Sequence, residues 1–116
     1  MKLIAENRQA RHEYFIEDAY VCGIVLEGSE VKSIRAGSIN LKDSFCLIAN
    51  GEVFVQNMHI AVYDKSGAYN TRNSKRDRKL LLRKAEINKL VGKVQEKGYA
   101  LIPLEVFFEG SFIILF

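Results

Sequence analysis

Proline and glycine are scarce in this 116-residue chain, which holds one proline and eight glycines. Collagen-like and low-complexity chains need far more of both residues, so these classes are excluded. Apolar residues make up 48% and charged residues 27% of the sequence, a balance that also excludes a wholly disordered protein. Because compact domains usually contain about 100 to 150 residues, we expect positions 1–116 to form a single folded domain.

Long hydrophobic runs are missing as well. An uninterrupted apolar stretch such as Phe112 to Phe116 is far shorter than the roughly 20 residues of a membrane-spanning helix. Near the amino terminus, Glu6 is an acid where a signal peptide would be apolar. We therefore expect a cytoplasmic protein with no membrane partner.

Cysteine and histidine are too few and too scattered for a metal or catalytic site. Cys22 and Cys46 lie 24 positions apart without Cys-x-x-Cys spacing, which favours two buried thiols over zinc ligands or a disulfide framework. His12 and His59 lie 47 positions apart and belong to no nucleophile or metal motif. The glycines have neither Walker nor dinucleotide-binding spacing. The sequence thus predicts a protein that is not an enzyme and that holds no cofactor or metal.

Basic charge is concentrated in one segment. Positions 72–97 carry ten basic and three acidic residues, a charge of +7, whereas the rest of the chain carries seven and eleven, a charge of −4. Such a segment is typical of a surface that binds a polyanion. A solvated helix face has the same composition, so charge alone leaves both interpretations open.

Short apolar and β-branched segments indicate strands along most of the chain. Two of them flank Asn50-Gly51, a pair that suits a type I′ turn and predicts a hairpin between Ser44 and Asn57. The other predicted strands are Tyr14 to Ile16, Tyr20 to Leu26, Tyr99 to Phe108 and Ser111 to Phe116.

Two helices and one long loop complete the pattern. Positions 29–35 predict a short helix that Ser29 caps and Gly37 ends, and positions 83–97 predict a longer amphipathic helix that Gly98 ends. The polar stretch 64–77 predicts an exposed loop. Many short strands with one short and one longer helix favour a mainly β fold, in which a small, closed, antiparallel barrel of the oligonucleotide-binding type hides the strand edges.

Two segments combine the side chains that RNA requires. Positions 75–84 join cations that can contact phosphate to three leucines that can anchor in a core. Positions 7–14 mix an amide, cations and an aromatic ring, the groups that recognise folded or single-stranded RNA. An exposed approach to a strand would explain the second segment equally well.

Four ordered motifs, which span about residues 5–108, resemble those of the small protein B family, the SsrA-binding proteins. The first two are Asn7-Arg8-x-Ala10-Arg11-His12-x-Tyr14-x-Ile16 and Gly28-x-Glu30-Val31-Lys32-Ser33-x-Arg35-Ala36-Gly37-x-x-Asn40-Leu41-x-Asp43-Ser44. The other two are Asn57-Met58-His59-Ile60 and Arg78-Lys79-Leu80-Leu81-Leu82, the latter continuing through Gly92-Lys93-Val94, Glu96-Lys97-Gly98 and Pro103-Leu104.

The resemblance implies a protein of trans-translation. A family member binds the tRNA-like domain of transfer-messenger RNA (tmRNA, or SsrA RNA) and delivers it to stalled ribosomes, where the nascent peptide is tagged and the ribosome is rescued. The implied partners are tmRNA, the ribosome and, through the aminoacylated tmRNA complex, EF-Tu. The implied fold is an oligonucleotide-binding-like barrel with peripheral helices, and we expect a monomer.

The resemblance also assigns RNA-binding residues. The family's contact positions correspond to Asn7 and Leu81, and barrel salt bridges are the alternative for the motif cations. With the cations of the basic segment, the predicted RNA-binding set is Asn7, Arg11, His12, Lys32, Arg35, Arg76, Arg78, Lys79, Leu81 and Arg83.

Two departures from the family pattern affect the expected function. Many members carry an RNA-binding Glu where this chain has Val21, so Glu17, Asp18 or another acid would have to supply that contact. Members also continue into a long basic tail, whereas this sequence ends at Phe116, which predicts RNA binding without peptide tagging. A generic RNA-binding or ribosome-associated barrel and a truncated, non-functional remnant are the alternative interpretations.

Overall fold

The computed structural model describes residues 2–16, 18–61, 74–108 and 112–115. The strands are β1 (Lys2–Glu6), β2 (Tyr20–Ile24), β3 (Ile39–Asn40), β4 (Phe45–Ala49), β5 (Glu52–Gln56), β6 (His59–Ile60), β7 (Arg78–Leu81), β8 (Pro103–Phe108) and β9 (Phe112–Leu115). The helices are α1 (Arg8–Glu13), α2 (Gly28–Arg35) and α3 (Lys84–Lys97). The predicted mainly β fold is confirmed. Across the described ranges, no helix is both long enough and apolar enough to cross a bilayer.

The hairpin of β4 and β5 forms as the sequence predicts. Asn50 and Gly51 both have positive φ, 53° and 74°, and pairs run from Phe45 with Gln56 to Ala49 with Glu52. Positive φ at both turn positions is the requirement of a type I′ turn, which Asn-Gly meets at little steric cost.

The two predicted helices are present with boundaries within one residue of the prediction. Helix α3 buries Ile87 and Leu90 on its inner stripe and ends at Gly98, whose φ of 66° is the left-handed cap that glycine favours. Helix α2 begins after Glu27, so that residue and not Ser29 occupies the N-cap position.

Three elements differ from the sequence prediction. Residues 14–16 form no strand, and the segment before them is helix α1, because the Asn7 side chain accepts the Ala10 N–H at 3.1 Å and caps a short helix. Strand β1 pairs with β8 about a hundred positions away, and β7 lies at the end of the predicted loop 64–77. Most of that loop, residues 64–73, is outside the described residues.

Seven strands form one antiparallel sheet in the order β1-β8-β9-β2-β7-β5-β4, and β3 pairs with β6. Within the described part of the chain, no ladder joins the outer strands β1 and β4. A backbone hydrogen bond of 2.8 Å from Cys46 N–H to the Leu101 carbonyl links β4 to the segment that leads into β8. The coarse fold therefore agrees with the prediction, whereas a closed barrel is not seen in these ladders.

The core lies between the inner face of this sheet and α2 and α3. Both cysteines are buried and form no disulfide, as predicted, and burial raises the pKa of Cys46 well above its usual value. The buried core residues are Cys22, Ile24, Ile34, Leu41, Cys46, Val53, Val55, Met58, Ile60, Leu80, Ile87, Leu90, Leu101 and Val106.

Candidate RNA-binding surface

Strand β7 divides the basic segment between the inside and the outside of the sheet. It lies between β2 and β5, with Leu80 paired to Ile24 on one side and to Val53 on the other. Side chains alternate along a strand, so Arg78 and Leu80 are buried while Lys79 and Leu81 are exposed. Two neighbouring cations of one motif therefore have opposite surroundings.

The inward cation, Arg78, is fully buried and makes hydrogen bonds to several elements. Its Nε donates to Glu30 Oε2 at 2.5 Å, its Nη1 to the Met58 carbonyl at 2.7 Å and its Nη2 to the Ser74 carbonyl at 3.0 Å. Glu30 projects from α2 and is itself fully buried. The guanidinium thus ties α2, the approach to β6 and the approach to β7 together.

Glu30 holds a second arginine in a bidentate pair. Arg76 Nε donates to Glu30 Oε2 at 3.2 Å, and Arg76 Nη2 donates to Oε1. The same Oε1 accepts the Glu27 amide N–H at 2.9 Å. One buried carboxylate therefore accepts hydrogen bonds from two cations and a backbone amide, which is how a buried charge avoids a large desolvation cost.

The pKa values of this cluster follow from burial and pairing. Burial by itself raises the pKa of Glu30, but the hydrogen bonds from Arg76, the Glu27 amide and Arg78 outweigh burial and lower it. Burial lowers the pKa of Arg78, although the Glu30 carboxylate opposes this shift. Glu30 is thus the ionised centre of an arginine cluster that carries one excess positive charge.

This geometry places Arg78 in the interior, and its contact with RNA stays a prediction. Its donors are directed to the carboxylate and carbonyls of the interior, and its side chain has no exposed surface. Arg76 is partly exposed, but two of its donors point to Glu30. The alternation of side chains along a strand predicts which cation points inward only when the register of that strand is already known.

The outer face of β7 presents the remaining cation and apolar anchor of the motif. Leu81 is 53% exposed, and Lys79 pairs across the surface with Glu52 at 3.4 Å. Opposite Leu81 on β2 stands Gly23, where an added Cβ would lie only 3.3 Å from Leu81 Cδ1. Glycine at this position therefore leaves room for the leucine side chain.

A shallow depression surrounds this outer face. Val21, which replaces the family's glutamate, is 60% exposed at its edge. Sequence reasoning proposed Glu17 or Asp18 as substitute acids, but Glu17 is outside the described residues and Asp18 pairs with Lys93 instead. The lining residues that bear on RNA binding are Val21, Glu52, Lys79, Leu81, Arg83 and Glu86. Glu52 and Glu86, which the sequence did not indicate, are acids that line the same depression as Val21.

The first motif lies on α1, which packs against β8. Asn7 is buried, and its amide donates to the Pro103 carbonyl at 3.0 Å and to the Leu41 carbonyl at 3.3 Å. Asn7 therefore holds α1, β8 and the Leu41 segment together, and its contact with RNA stays a prediction. His12 is exposed. Arg11 pairs with Glu6 at 3.1 Å and with Glu105 at 2.6 Å, the salt-bridge alternative that the sequence left open.

The remaining predicted cations lie on helix surfaces. Lys32 and Arg35 occupy the exposed last turn of α2, and Arg83 is the exposed residue before α3. Of the ten predicted residues, the structure brings Lys79, Leu81 and Arg83 together in one depression and leaves the others on or beside α1, on α2, in the interior or, for Arg76, on the partly exposed segment before β7. Across the described ranges, no group of three or more His, Cys, Asp or Glu residues could hold a metal ion.

Comparison with known proteins identifies the family. The model of the SmpB protein family matches residues 4–115 of this chain. The chain belongs to the SmpB family. An SmpB relative from Acetivibrio thermocellus, named SsrA-binding protein, is 56% identical over 110 residues, which are 95% of this chain and 71% of the relative. The SsrA-binding protein of Bacillus subtilis is 51% identical over 111 residues, 96% of this chain and 70% of its own length.

A solved SmpB structure has the same fold. Its chain, from a study described as "tmRNA-SmpB: a journey to the center of the bacterial ribosome", superposes with a TM-score of 0.77 at 42% sequence identity. The match covers 99% of this chain and 81% of the solved one. The fold of this chain is therefore that of an SmpB protein.

Proposed function

We propose that this chain is a tmRNA-binding protein of trans-translation, which binds the tRNA-like domain of tmRNA and delivers it to stalled ribosomes for tagging of the nascent peptide. The observation that carries this proposal is the 56% identity to an SsrA-binding protein across 95% of the chain. A family of RNA-binding proteins performs this function by recognition, so the chain is not an enzyme. Its implied partners are tmRNA and the ribosome.

The outer face of β7 is the part of the surface that best suits the RNA. Lys79 and Arg83 can pair with phosphate oxygens, and Leu81 offers an apolar contact beside them. Because Lys79 also pairs with Glu52, phosphate binding would exchange one half-exposed ion pair for another, at small cost. Exposed side chains of α1 and α2 would extend the contact: Arg11, His12, Lys32 and Arg35.

The finer architecture belongs to the same proposal. We expect the seven-stranded sheet to act as the oligonucleotide-binding-like barrel of the family, and the hydrogen bond from Cys46 to Leu101 supports a sheet that curls until its outer strands approach each other. Such a curved sheet offers its outer face to a folded RNA. A monomer that works in the cytoplasm, with EF-Tu bound through the aminoacylated tmRNA, is the expected context.

Binding of purified RNAs tests this proposal. The tRNA-like domain of tmRNA and an elongator tRNA of equal length are titrated with the chain at fixed salt. We expect the tRNA-like domain to bind at least tenfold more tightly, because recognition depends on shape and on specific contacts as well as phosphate charge. Equal affinity for both RNAs would contradict the proposal and favour a generic RNA-binding protein.

A matched pair of variants locates the surface. Lys79→Ala removes a cation of the depression, whereas Lys42→Ala removes an exposed cation on the turn before β4. Only the first is expected to weaken binding. Equal losses would mean that the RNA does not contact the outer face of β7.

A further inference from the structure

Strand β7 has a sequence that does not specify its own register. Two cations precede three leucines, so a shift of one residue would still bury a leucine, Leu81 in place of Leu80. Such a shift exchanges the inward and outward side chains of the strand, because side chains alternate between the faces of a sheet. Lys79 and Leu81 would then face the interior, and the outer surface would lose both.

The inner surface beneath position 78 distinguishes the two cations. Acceptors from three different segments converge there: the Glu30 carboxylate, the Met58 carbonyl, and the Ser74 and Arg76 carbonyls. The planar fork of an arginine reaches all three segments at once, whereas a lysine ammonium presents its three donors at a single point. The site therefore fits Arg78 and would leave acceptors unpaired around a lysine.

The charge at this site comes from one residue distant in sequence. Glu30 lies on α2, 48 positions before Arg78, and is the carboxylate that both Arg76 and Arg78 contact. Without that carboxylate, Arg78 would lose the anion to which its Nε donates, and removing the carboxylate partner of a buried cation is costly. The three leucines do not favour one register over the other, so they could not replace the carboxylate in this role.

We propose that Glu30 is a positioning residue for RNA binding, which touches no RNA but selects the arginine of the Arg78-Lys79 pair for the interior and so turns Lys79 and Leu81 outward. The inference rests on the proposed function for its consequence, RNA binding, but its structural half stands apart from RNA. The buried ion pair of Glu30 and Arg78 thus fixes the register of β7, a role that buried polar groups fill in some other folds.

Exchange of the two cations tests the structural half without RNA. The variant Arg78→Lys/Lys79→Arg has the composition and charge of the parent, and a cysteine introduced as Leu81→Cys reports the face, in a background in which the buried Cys22 and Cys46 are replaced by alanine. We expect the exchange to slow alkylation of the new cysteine at least tenfold, because the strand shifts to place its arginine against Glu30. A cysteine introduced as Lys32→Cys, on the exposed side of α2, is expected to react at an unchanged rate.

This readout separates a change of register from mere loss of stability. Partial unfolding of the exchange variant would speed alkylation at position 81. An unchanged rate would mean that the leucines or the neighbouring strands hold the register. Either result would overturn the proposal if the second variant, Glu30→Gln, also fails to slow the reaction. Glu30→Gln removes the selecting charge while keeping the side chain's size, so it is expected to protect position 81 in a measurable fraction of molecules.

RNA binding tests the consequence. In the chain with its native cysteines and Leu81, the exchange variant is expected to bind the tRNA-like domain at least tenfold more weakly than the parent. A further Leu81→Ala substitution should then cost nothing, since the leucine already faces inward. Slow alkylation with parental RNA affinity would overturn the positioning role. Failure of the parent chain itself to bind would instead contradict the proposed function and leave the alkylation result intact.

Discussion

The two faces of strand β7 show how differently neighbouring cations can behave. On the inner face, Arg78 is fully buried and its donors bind Glu30 and backbone carbonyls. On the outer face, Lys79 is half exposed and has a surface partner, Glu52, at 3.4 Å. The comparison teaches that a run of basic residues is not a single RNA-binding feature: one cation organises the fold and the next is available to a ligand.

The inner face predicts the largest effect on stability. Glu30→Leu removes the buried carboxylate that Arg76 and Arg78 both contact, so we expect a loss of about 3 to 5 kcal/mol in the free energy of unfolding, measured by urea denaturation. The control, Lys79→Ala, should cost about 1 kcal/mol or less because its ion pair is exposed. An equal loss in the free energy of unfolding for the two variants would contradict the proposed difference between the two faces.

The outer face predicts the largest effect on binding. Leu81→Ala should weaken binding of the tRNA-like domain by about 1 to 3 kcal/mol, the range for loss of one apolar or stacking contact to RNA, and should change stability little. Leu47 is a matched control, since it is a leucine of the same sheet with similar exposure, 44%. Equal losses of affinity in Leu47→Ala would show that exposed leucines act without regard to position.

Acid should weaken the inner face selectively. The folded state lowers the pKa of Glu30 below its ordinary value of 4.5, so its contribution to stability is present above about pH 4.5 and is lost as the pH falls toward the folded value. The loss can reach at most about 1.4 kcal/mol per pH unit. Urea denaturation of the parent and of Glu30→Gln at pH 6 and pH 3.5 checks this, because their difference should narrow in acid. A constant difference would mean that Glu30 keeps its charge at pH 3.5.

Salt should reveal the smallest effect, that of a single exposed cation. If RNA binding neutralises about 4 to 6 phosphates, log affinity should fall with log salt at a slope of about −3 to −4. Lys79→Ala should make this slope less steep by about 0.7, whereas Lys42→Ala should leave it unchanged. A slope near zero in the parent chain would contradict the electrostatic part of the interface.

Local sequence patterns predicted some elements well and failed for others. The β4–β5 hairpin and helix α3 were predictable because Asn50-Gly51 and the apolar stripe with Gly98 encode them within a few residues. Strand β1 depends on β8, about a hundred positions away, and α1 has one buried residue, Ala10, so neither has a strong local pattern. Of the predicted RNA-binding residues, Asn7 and Arg78 are buried, which no local pattern in the sequence indicated.

The sequence by itself determined the composition of a folded domain, the motifs of its family and the concentration of cations near β7. Those features depend on residue types and short spacings, which are complete in the chain before it folds. Only the tertiary structure decided which cation of the Arg78-Lys79 pair faces Glu30 and which faces solvent. Three consecutive leucines make both choices equal in local pattern, so the decision falls to a carboxylate that α2 brings beneath the strand from 48 positions away.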